Sequence, residues 1–338
     1  MVHSLAGGRQ VTGELEATNS LPALRELEQA ATLIYEAMPA TPQYRWPLLD
    51  ARCDCEVWVK HENHSPVGAF KVRGGLVYVD ALRREHPQVE GIVTATRGNH
   101  GQSIGFAAAR AQMGALVVVP HGNSVEKNAA MRALGVELVE HGHDFQAAVE
   151  AAEALAAERG WHRLPSFHPL LVRGVGTYAL ELFRGAPPLD AIYVPIGLGS
   201  GICGVIAARD ALGLRTAVIG VTSAAAPAFA RSLERGTVLS QDVTTRIADG
   251  VACRTPVAPA LDVVARGTER VVEVTDEEVE EAMRALFADT HNVAEGAGAA
   301  ALAGLLQERE RMLGRRVAVV LTGGNVDSVE FARVLSAA

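Results

Sequence analysis

Very few side chains in this sequence could supply an amine nucleophile. Among its 31 basic residues only Lys60, Lys71 and Lys127 are lysines. Lys71 lies between two apolar residues, Phe70 and Val72. Apolar surroundings lower the pKa of a lysine, and a neutral amine can form a covalent bond with a carbonyl group. Lys71 is therefore the candidate nucleophile, and the alternative is an ordinary lysine on the surface.

A glycine-rich turn follows an apolar run and precedes a helical pattern. Its sequence is Gly197-Leu198-Gly199-Ser200-Gly201. Residues without side chains let backbone N–H groups approach an anion, and the N-terminus of the next helix adds a favourable dipole. The turn therefore predicts a phosphate site. The alternative is a tight connection between strand and helix that binds nothing.

The same turn also fits the fingerprint of a nicotinamide-dependent oxidoreductase. Residues 199–204 match G-x-G-x-x-G. That fingerprint expects an acidic residue about 20 positions further on, near the end of the next strand. Here that strand ends Val221-Thr222-Ser223, without an acid. An oxidoreductase leaves Lys71 without a role, and Lys71 also argues against a binding protein that lacks catalysis.

The elements that must position these residues follow from the hydrophobic pattern. Short apolar runs alternate with amphipathic segments, which is typical of a parallel sheet covered by helices. We therefore predict an α/β fold of two lobes, each a mostly parallel twisted sheet flanked by helices. Strands are predicted over 91–94, 116–119, 136–140, 191–195, 216–221, 271–274 and 317–321, and helices over 101–113, 125–134, 145–159 and 296–313. Two further helices are predicted to end at Leu212 and Ala288.

Two local signals refine this prediction. Thr275-Asp276-Glu277-Glu278 has the pattern of a capping box at the start of a helix. The break between the lobes is predicted within Trp161–Val175, where Pro165, Pro169 and Gly174 interrupt the periodicity.

Three separated segments carry further candidate residues: Gly68–Gly74, Thr96–Gln102 and Thr322–Asn325. They read G-A-F-K-V-R-G, T-R-G-N-H-G-Q and T-G-G-N. They resemble the S-F-K-x-R-G, S-x-G-N-H-x-Q and S-G-G-N motifs of the fold-type-II pyridoxal-phosphate enzymes, most closely the threonine/serine dehydratases. The glycine-rich turn falls where that family has its phosphate loop. The resemblance extends from Trp58 to Asn325.

This resemblance implies roles for individual residues. Lys71 would hold pyridoxal 5'-phosphate covalently and later move the Cα proton of the substrate. Asn99 would hydrogen-bond the ring hydroxyl, and Thr322 would face the pyridine nitrogen. The cofactor-binding residues would be Phe70, Lys71, Asn99, Gly197, Leu198, Gly199, Ser200, Gly201, Gly250, Glu295 and Thr322. The substrate-binding residues would be Thr96, Arg97, Gly98, Asn99 and His100, whose turn opens a helix and could receive a carboxylate.

Three of these residues also have purely structural alternatives. Asn99 could cap the helix that follows it. Thr322 could simply end a strand, and Glu295 could be an acidic residue in the first turn of a helix.

The resemblance also implies a reaction. A hydroxyl facing the pyridine nitrogen favours a weaker electron sink, so loss of a β-substituent should outrun transamination. We expect removal of water from L-threonine or L-serine, after which the enamine hydrolyses to a 2-oxo acid and ammonia. Arg97 could shift the preference to 3-hydroxyaspartate by binding its second carboxylate, or to phenylserine by stacking on its ring. The alternative is that Arg97 points to solvent.

Composition argues against several other classes of protein. The net charge of −8 comes without a basic cluster, so we expect no binding to nucleic acid or to an anionic membrane. No apolar run reaches the ~20 residues of a membrane span. The first ten residues lack the pattern of a signal peptide, and neither the four cysteines nor the histidines have the spacing of a metal site.

The expected organisation follows from the motifs and the composition. We expect a large cofactor-binding domain formed by residues 1–70 and 165–338. A smaller, mobile substrate-binding domain would comprise residues 71–164. We expect a cytoplasmic homodimer that acts on a small amino acid.

Overall fold

The computed structural model describes residues 20–337, and this range contains thirteen α-helices and ten β-strands. The helices are α1 Leu24–Tyr35, α2 Pro47–Cys53, α3 Lys71–Glu85, α4 Asn99–Arg110, α5 Val125–Ala133, α6 Phe145–Arg159, α7 Pro169–Gly185, α8 Ser200–Ala211, α9 Ala228–Arg235, α10 Ala258–Gly267, α11 Asp276–Thr290, α12 Gly296–Gln307 and α13 Ser328–Ser336. The strands are β1 Gln43–Arg45, β2 Glu56–His61, β3 Gly91–Ala95, β4 Gly114–Val119, β5 Glu137–Glu140, β6 His162–Arg163, β7 Ala191–Pro195, β8 Ala217–Ser223, β9 Arg270–Val274 and β10 Arg316–Leu321.

The strands form two sheets. The larger sheet has the order β1-β2-β10-β7-β8-β9, and β1 is its only antiparallel strand. The smaller sheet has the order β5-β4-β3-β6 and is parallel throughout. The predicted α/β fold with two mostly parallel sheets is confirmed.

Each sheet is covered on both faces, which explains the continuous apolar runs of its strands. Side chains alternate between the two faces of a strand. In β10, Val317, Val319 and Leu321 pack in the core under α11 and α12, whereas Ala318 and Val320 pack in the core under α7 and α8. The smaller sheet repeats this arrangement, with one core under α6 and another under α3 and α4.

Local sequence signals account for several helix ends. The capping box predicted before α11 is confirmed, because Glu278 N–H donates to Thr275 Oγ1 at 3.2 Å and Thr275 N–H donates to a Glu278 carboxylate oxygen at 2.7 Å. Asp144 caps α6 by accepting from the Ala147 N–H at 2.8 Å, and α6 has the predicted bounds. Such caps satisfy N–H groups that have no partner within the helix.

The predicted interruption of helical periodicity at Pro169 and Gly174 is wrong, because α7 begins at Pro169 and contains both residues. Proline is tolerated in the first helical turn, where its missing N–H would have no partner, and His168 caps this helix by accepting from the Leu170 N–H. Gly174 lies inside α7 at a close backbone contact: a Cβ there would lie 2.2 Å from the Arg73 carbonyl oxygen. These residues therefore start and pack a helix.

The helix predicted over 296–313 is too long, because α12 ends at Gln307. Arg309–Met312 forms a separate 3₁₀ turn. Glu308 turns its carboxylate to Arg270 and to the Tyr193 hydroxyl, which donates at 2.8 Å. Glu308 thus contacts β7 and β9 of the larger sheet at the point where α12 ends.

Two absences apply to residues 20–337. No helix there is long and apolar enough to cross a membrane. No group of three or more histidine, cysteine, aspartate or glutamate side chains there is arranged to hold a metal ion.

Candidate active site

The lysine motif and the terminal motif lie side by side. Phe70 N–H donates to the Thr322 carbonyl oxygen at 2.9 Å, and Gly324 N–H donates to the Gly68 carbonyl oxygen at 2.9 Å. Ala69 forms an antiparallel bridge with Gly323 between these bonds. The backbone just before Lys71 is therefore held by the segment that follows β10.

Lys71 is the first residue of α3 and is partly buried. Its Nζ lies 4.6 Å from the centroid of the Phe70 ring. Burial lowers the pKa of Lys71 to about 8, although the nearby Glu295 carboxylate acts in the opposite direction. Ser103 Oγ on α4 donates to the Lys71 carbonyl oxygen at 2.6 Å. A larger share of this amine is therefore neutral near pH 8 than for an exposed lysine.

The other two lysines are engaged in ion pairs. Lys60 Nζ donates to Glu181 Oε2 at 2.6 Å and to the Thr41 carbonyl oxygen at 2.8 Å. Lys127 Nζ lies 3.1 Å from Glu295 Oε2. Within residues 20–337, Lys71 Nζ has no hydrogen bond or ion pair of this kind. Lys71 is thus the available amine.

The glycine-rich turn connects β7 to α8 and has the conformation of an anion site. Gly199 precedes α8 with φ +100°, a region that favours glycine. Ser200 is buried in the first turn of α8, and Leu198 packs in the same apolar cluster as Phe70. Gly250 supports the turn from outside, since its carbonyl oxygen would lie 2.3 Å from a Cβ at residue 197.

Packing against other residues does not explain why residue 201 is a glycine. Apart from its own helix and chain neighbours, the described atoms nearest to a Cβ at Gly201 would be the Tyr178 hydroxyl at 3.6 Å and the Phe70 ring at 3.7 Å. A group bound at the N-terminus of α8 would need this space. The ring of Phe70 lies beside both this space and the Lys71 amine, so the residues fit a ligand that carries a phosphate and an aldehyde.

The variant Gly201→Ala is expected to weaken binding of pyridoxal phosphate about tenfold or more, because overpacking costs roughly 1–3 kcal/mol. Fluorescence titration of the apoprotein measures this. The thermal midpoint of the apoprotein should not change. In Gly204→Ala on the same helix, the new Cβ would meet the Gly176 backbone at 2.8 Å, so the apoprotein itself should lose stability. Equal cofactor affinity in wild type and Gly201→Ala would contradict the assignment.

Asn99 does not cap its helix, which begins earlier than predicted. Asn99 is the first residue of α4, and its side chain points away from the helix backbone. Asn99 Nδ2 donates to Glu295 Oε1 at 2.5 Å, and Asn99 Oδ1 accepts from Asn325 Nδ2 at 2.9 Å. A carboxamide has two N–H hydrogens, so one remains for a ligand. Asn325 was not among the predicted site residues, although it belongs to the terminal motif.

The other residues of turn 96–100, here called the substrate turn because they are predicted to bind substrate, lie at the N-terminus of α4. Thr96 Oγ1 accepts from the Gly98 N–H at 3.0 Å, which stabilises the turn. His100 is buried, and within residues 20–337 its Nε2 has no hydrogen-bond partner. Burial, together with the positive charges of Lys71 and Arg163, lowers the pKa of His100 to about 3. His100 is therefore a neutral side chain at physiological pH.

Arg97 lies at the exposed edge of this turn. Its side chain is 44% exposed, and its guanidinium is 3.9 Å from a carboxylate oxygen of Asp249, which is 43% exposed. Arg97 therefore lies beside an acidic group at the surface, next to Gly250.

Thr322 and Glu295 meet at the start of α12. Thr322 is buried directly after β10, and its hydroxyl donates to the Ala297 carbonyl oxygen at 3.3 Å. Glu295 N–H donates to the Gly323 carbonyl oxygen at 3.1 Å. The Glu295 side chain makes no cap with α12 and turns to Asn99 instead. The predicted residues other than Arg97 thus lie around the N-termini of α3, α4, α8 and α12.

Comparison with known proteins agrees with this arrangement. The family model described as "Pyridoxal-phosphate dependent enzyme" matches residues 34–323. The L-threonine ammonia-lyase of Geobacter sulfurreducens is 36% identical over 80% of this chain and 67% of its own length. The L-threo-3-hydroxyaspartate ammonia-lyase of a Pseudomonas species is 31% identical over 93% of this chain and 99% of its own length. The chain spans only 58% of the length of the biosynthetic L-threonine dehydratases of Salmonella typhimurium and Escherichia coli.

Solved structures lead to the same family. The crystal structure of a T.th. threonine deaminase is 34% identical, has a TM-score of 0.84, and is matched over 90% of this chain and 99% of its own. Nothing in these comparisons supports the oxidoreductase alternative, and β8 ends without the acidic residue that its fingerprint needs. The chain therefore belongs to the family of pyridoxal-phosphate-dependent enzymes, and pyridoxal phosphate is its cofactor.

Proposed function

We propose that this chain removes water from L-threonine or L-serine, and that hydrolysis of the resulting enamine releases ammonia and a 2-oxo acid. The observation that carries the proposal is the position of Lys71. Its amine lies 4.6 Å from the centroid of the Phe70 ring, which also borders the open space at Gly201 in the first turn of α8, and its charge acts on His100 in the first turn of α4. The N-terminus of α8 suits a cofactor phosphate, and that of α4 suits a substrate carboxylate. The similarity to L-threonine ammonia-lyases supports the same reaction.

In this proposal the residues of the site divide the work. Bound pyridoxal phosphate supplies an electron sink for the substrate Cα. The backbone N–H groups of residues 197–201 would hold its phosphate, and Phe70 and Thr322 would bind its ring. The remaining N–H hydrogen of Asn99 is available to the ring hydroxyl. The N–H groups of turn 96–100 hold the substrate carboxylate.

Lys71 moves the proton. Its pKa of about 8 allows the amine both to accept the Cα proton and to release it near neutral pH. Thr322 carries a hydroxyl and not a carboxylate, so it cannot keep the ring nitrogen protonated. This would favour loss of the β-hydroxyl from the substrate over transamination.

The same reaction on L-threo-3-hydroxyaspartate is the second candidate function. It is favoured by the 3-hydroxyaspartate ammonia-lyases of Pseudomonas and Saccharomyces cerevisiae, which match over 99% and 97% of their own length. Arg97 would be the residue that binds the second carboxylate of this substrate. The Asp249 carboxylate already pairs with the positive charge of Arg97. We therefore propose threonine and serine as the better substrates.

The test compares kcat/KM for threonine, serine, 3-hydroxyaspartate and phenylserine in wild type and Arg97→Ala. We expect the variant to retain its preference for threonine and serine, because the Arg97 side chain is exposed. If Arg97 binds the second carboxylate, kcat/KM of the variant should fall about tenfold or more for 3-hydroxyaspartate and for no other substrate. A charged hydrogen bond of roughly 1.5–3 kcal/mol gives a loss of this size.

The control for this comparison is Arg184→Ala, since the Arg184–Glu28 pair has 48% and 46% exposed side chains, close to those of Arg97 and Asp249. This variant should leave all four ratios unchanged. Protein that holds the cofactor on Lys71 but releases ammonia from none of the four amino acids would refute the proposed function.

We also propose that residues 71–164 form the mobile substrate-binding domain and that residues 1–70 and 165–338 form the cofactor domain. Residues 1–19 and 338 of this division lie outside the described residues. The strands of the smaller sheet, all within 91–163, support the division. However, α1 also contributes Ala30 and Ile34 to the core beside the smaller sheet. A homodimer in the cytoplasm is proposed from the family resemblance, and light scattering measures the oligomeric state.

A further inference from the structure

Lys127 is a buried cation in the first turn of α5, outside the predicted site residues. Its side chain is 11% exposed and its Nζ lies 3.1 Å from Glu295 Oε2. Burial by itself lowers the pKa of Lys127, but the carboxylates of Glu295, Asp249 and Asp327 outweigh it, and the net pKa is raised. Lys127 is therefore an ammonium ion at neutral pH and has a different task from Lys71.

Glu295 divides its two oxygens between Lys127 and Asn99. Oε2 faces the ammonium, and Oε1 accepts from Asn99 Nδ2 at 2.5 Å. The Glu295 side chain is only 6% exposed, and a buried carboxylate without a cation is costly. Lys127 is therefore the cation that pairs with this buried carboxylate. An ionised carboxylate can only accept, so Asn99 must present its N–H₂ group to it.

Asn325 selects the same orientation from the opposite side. Its Nδ2 donates to Asn99 Oδ1 at 2.9 Å and to the Val67 carbonyl oxygen at 2.8 Å. Both neighbours of the Asn99 carboxamide therefore require its oxygen toward Asn325 and its nitrogen toward Glu295. These two hydrogen bonds therefore also fix the direction of the remaining N–H hydrogen of Asn99.

The chain leaves room for Lys127 at Gly98. A Cβ at residue 98 would lie 2.4 Å from Lys127 Cδ, so the absence of a side chain lets the lysine stem pass along the substrate turn. Lys127 comes from the helix that follows β4 of the smaller sheet, whereas Glu295 precedes α12 on the larger sheet. The ion pair thus joins the two sheets across the site.

Two hydrogen-bonded contacts accompany this ion pair. Ser124 Oγ donates to an Asp327 carboxylate oxygen. Ser328 donates to Glu126 Oε1 from its N–H at 2.9 Å and from its Oγ at 2.6 Å. The start of α5 is therefore docked onto the segment that follows the terminal motif.

We propose that Lys127 is a positioning residue that orients the Asn99 carboxamide through Glu295, and that it does so because α5 is docked against the larger sheet. The inference rests on the proposed role of Asn99 toward the cofactor ring. In this inference Lys127 acts through Glu295, its ion-pair partner, and not by contact with cofactor or substrate.

The test is Lys127→Met, which keeps the length of the stem and removes the charge. The holoenzyme should retain its cofactor on Lys71, but the visible circular dichroism of the bound cofactor should change because Asn99 loses its fixed orientation. We expect kcat to fall roughly tenfold to a hundredfold, as for other residues that orient a ligand-binding group, with little change in KM. Lys127→Arg, which keeps the charge, should recover both signals.

The matched control is Arg132→Met on the same helix, where Arg132 pairs with Glu140 at 3.5 Å and both side chains are exposed. It should have the dichroism and kcat of wild type. Wild-type dichroism in Lys127→Met would overturn the proposal, even if its thermal midpoint falls. If Lys127→Met does not fold, Glu295→Gln replaces it and should change the dichroism in the same way; an unchanged spectrum there overturns the proposal too. Because dichroism needs no substrate, an enzyme inactive on all four amino acids would refute the proposed function and not this inference.

Discussion

Replacing Lys71 with alanine is expected to lower kcat for L-threonine by at least about a thousandfold, in line with the loss of a positioned proton-transfer group. Lys71 is the only lysine within residues 20–337 whose amine is not held in an ion pair, and burial lowers its pKa to about 8. The variant therefore loses both the covalent attachment of the cofactor and the base. Steady-state ammonia release measures the rate, and borohydride reduction followed by peptide mapping locates the cofactor.

Two further variants separate chemistry from structure. Lys71→Arg should be as inactive as Lys71→Ala, since a guanidinium stays protonated and can neither bond to the aldehyde nor accept the Cα proton. Arg84→Ala on the same helix should behave as wild type, because the Arg84 side chain is 69% exposed and pairs with Asp80 one turn away. Reduced cofactor found on Lys60 or Lys127 would contradict the assignment.

Replacing Arg73 with methionine is expected to destabilise the protein by about 3–5 kcal/mol, the range for removing one member of a buried ion pair. Arg73 is fully buried two residues after Lys71. Its guanidinium donates to both oxygens of Glu62, at 2.8 and 3.0 Å, and to both oxygens of Glu181, at 2.7 and 2.9 Å. Lys60 supplies the second cation of this cluster.

The physical reason lies in the balance of buried charge. The cluster holds two cations and two carboxylates, and Arg73→Met leaves two carboxylates with one ammonium. Urea denaturation of the apoprotein measures the change in the free energy of unfolding. Because the cluster holds the start of α3, the variant should also bind pyridoxal phosphate more weakly.

The matched control is Arg159→Met. Arg159 also binds a carboxylate through two hydrogen bonds, to Glu137 at 2.7 and 3.0 Å, but its side chain is 39% exposed. A surface pair of this kind contributes about 0–1 kcal/mol. If both variants lose the same free energy of unfolding, burial does not make the Arg73 ion pairs more stabilising than a surface pair.

Local patterns in the sequence predicted much of the fold because they act over a few residues. A period of two or 3.6 residues and the capping box of α11 depend only on near neighbours, so most strands and helices lie close to their predicted bounds. The same locality explains the errors. Pro169 and Gly174 look like helix breakers until the first turn of α7 and its backbone contact with Arg73 are known.

The sequence by itself determined the class of fold and the family and singled out Lys71 as the candidate cofactor lysine, because Lys71, the glycine-rich turn and the three motifs are contiguous segments. Only the tertiary structure decided what each side chain touches. Asn99 and Glu295 are 196 positions apart and meet because the two sheets pack together. Glu295 could be named as a candidate, but its partner Lys127 could not, since a long-range ion pair leaves no periodic or local pattern. Arg97 belongs to the substrate turn by sequence, and packing places its side chain at the exposed edge beside Asp249.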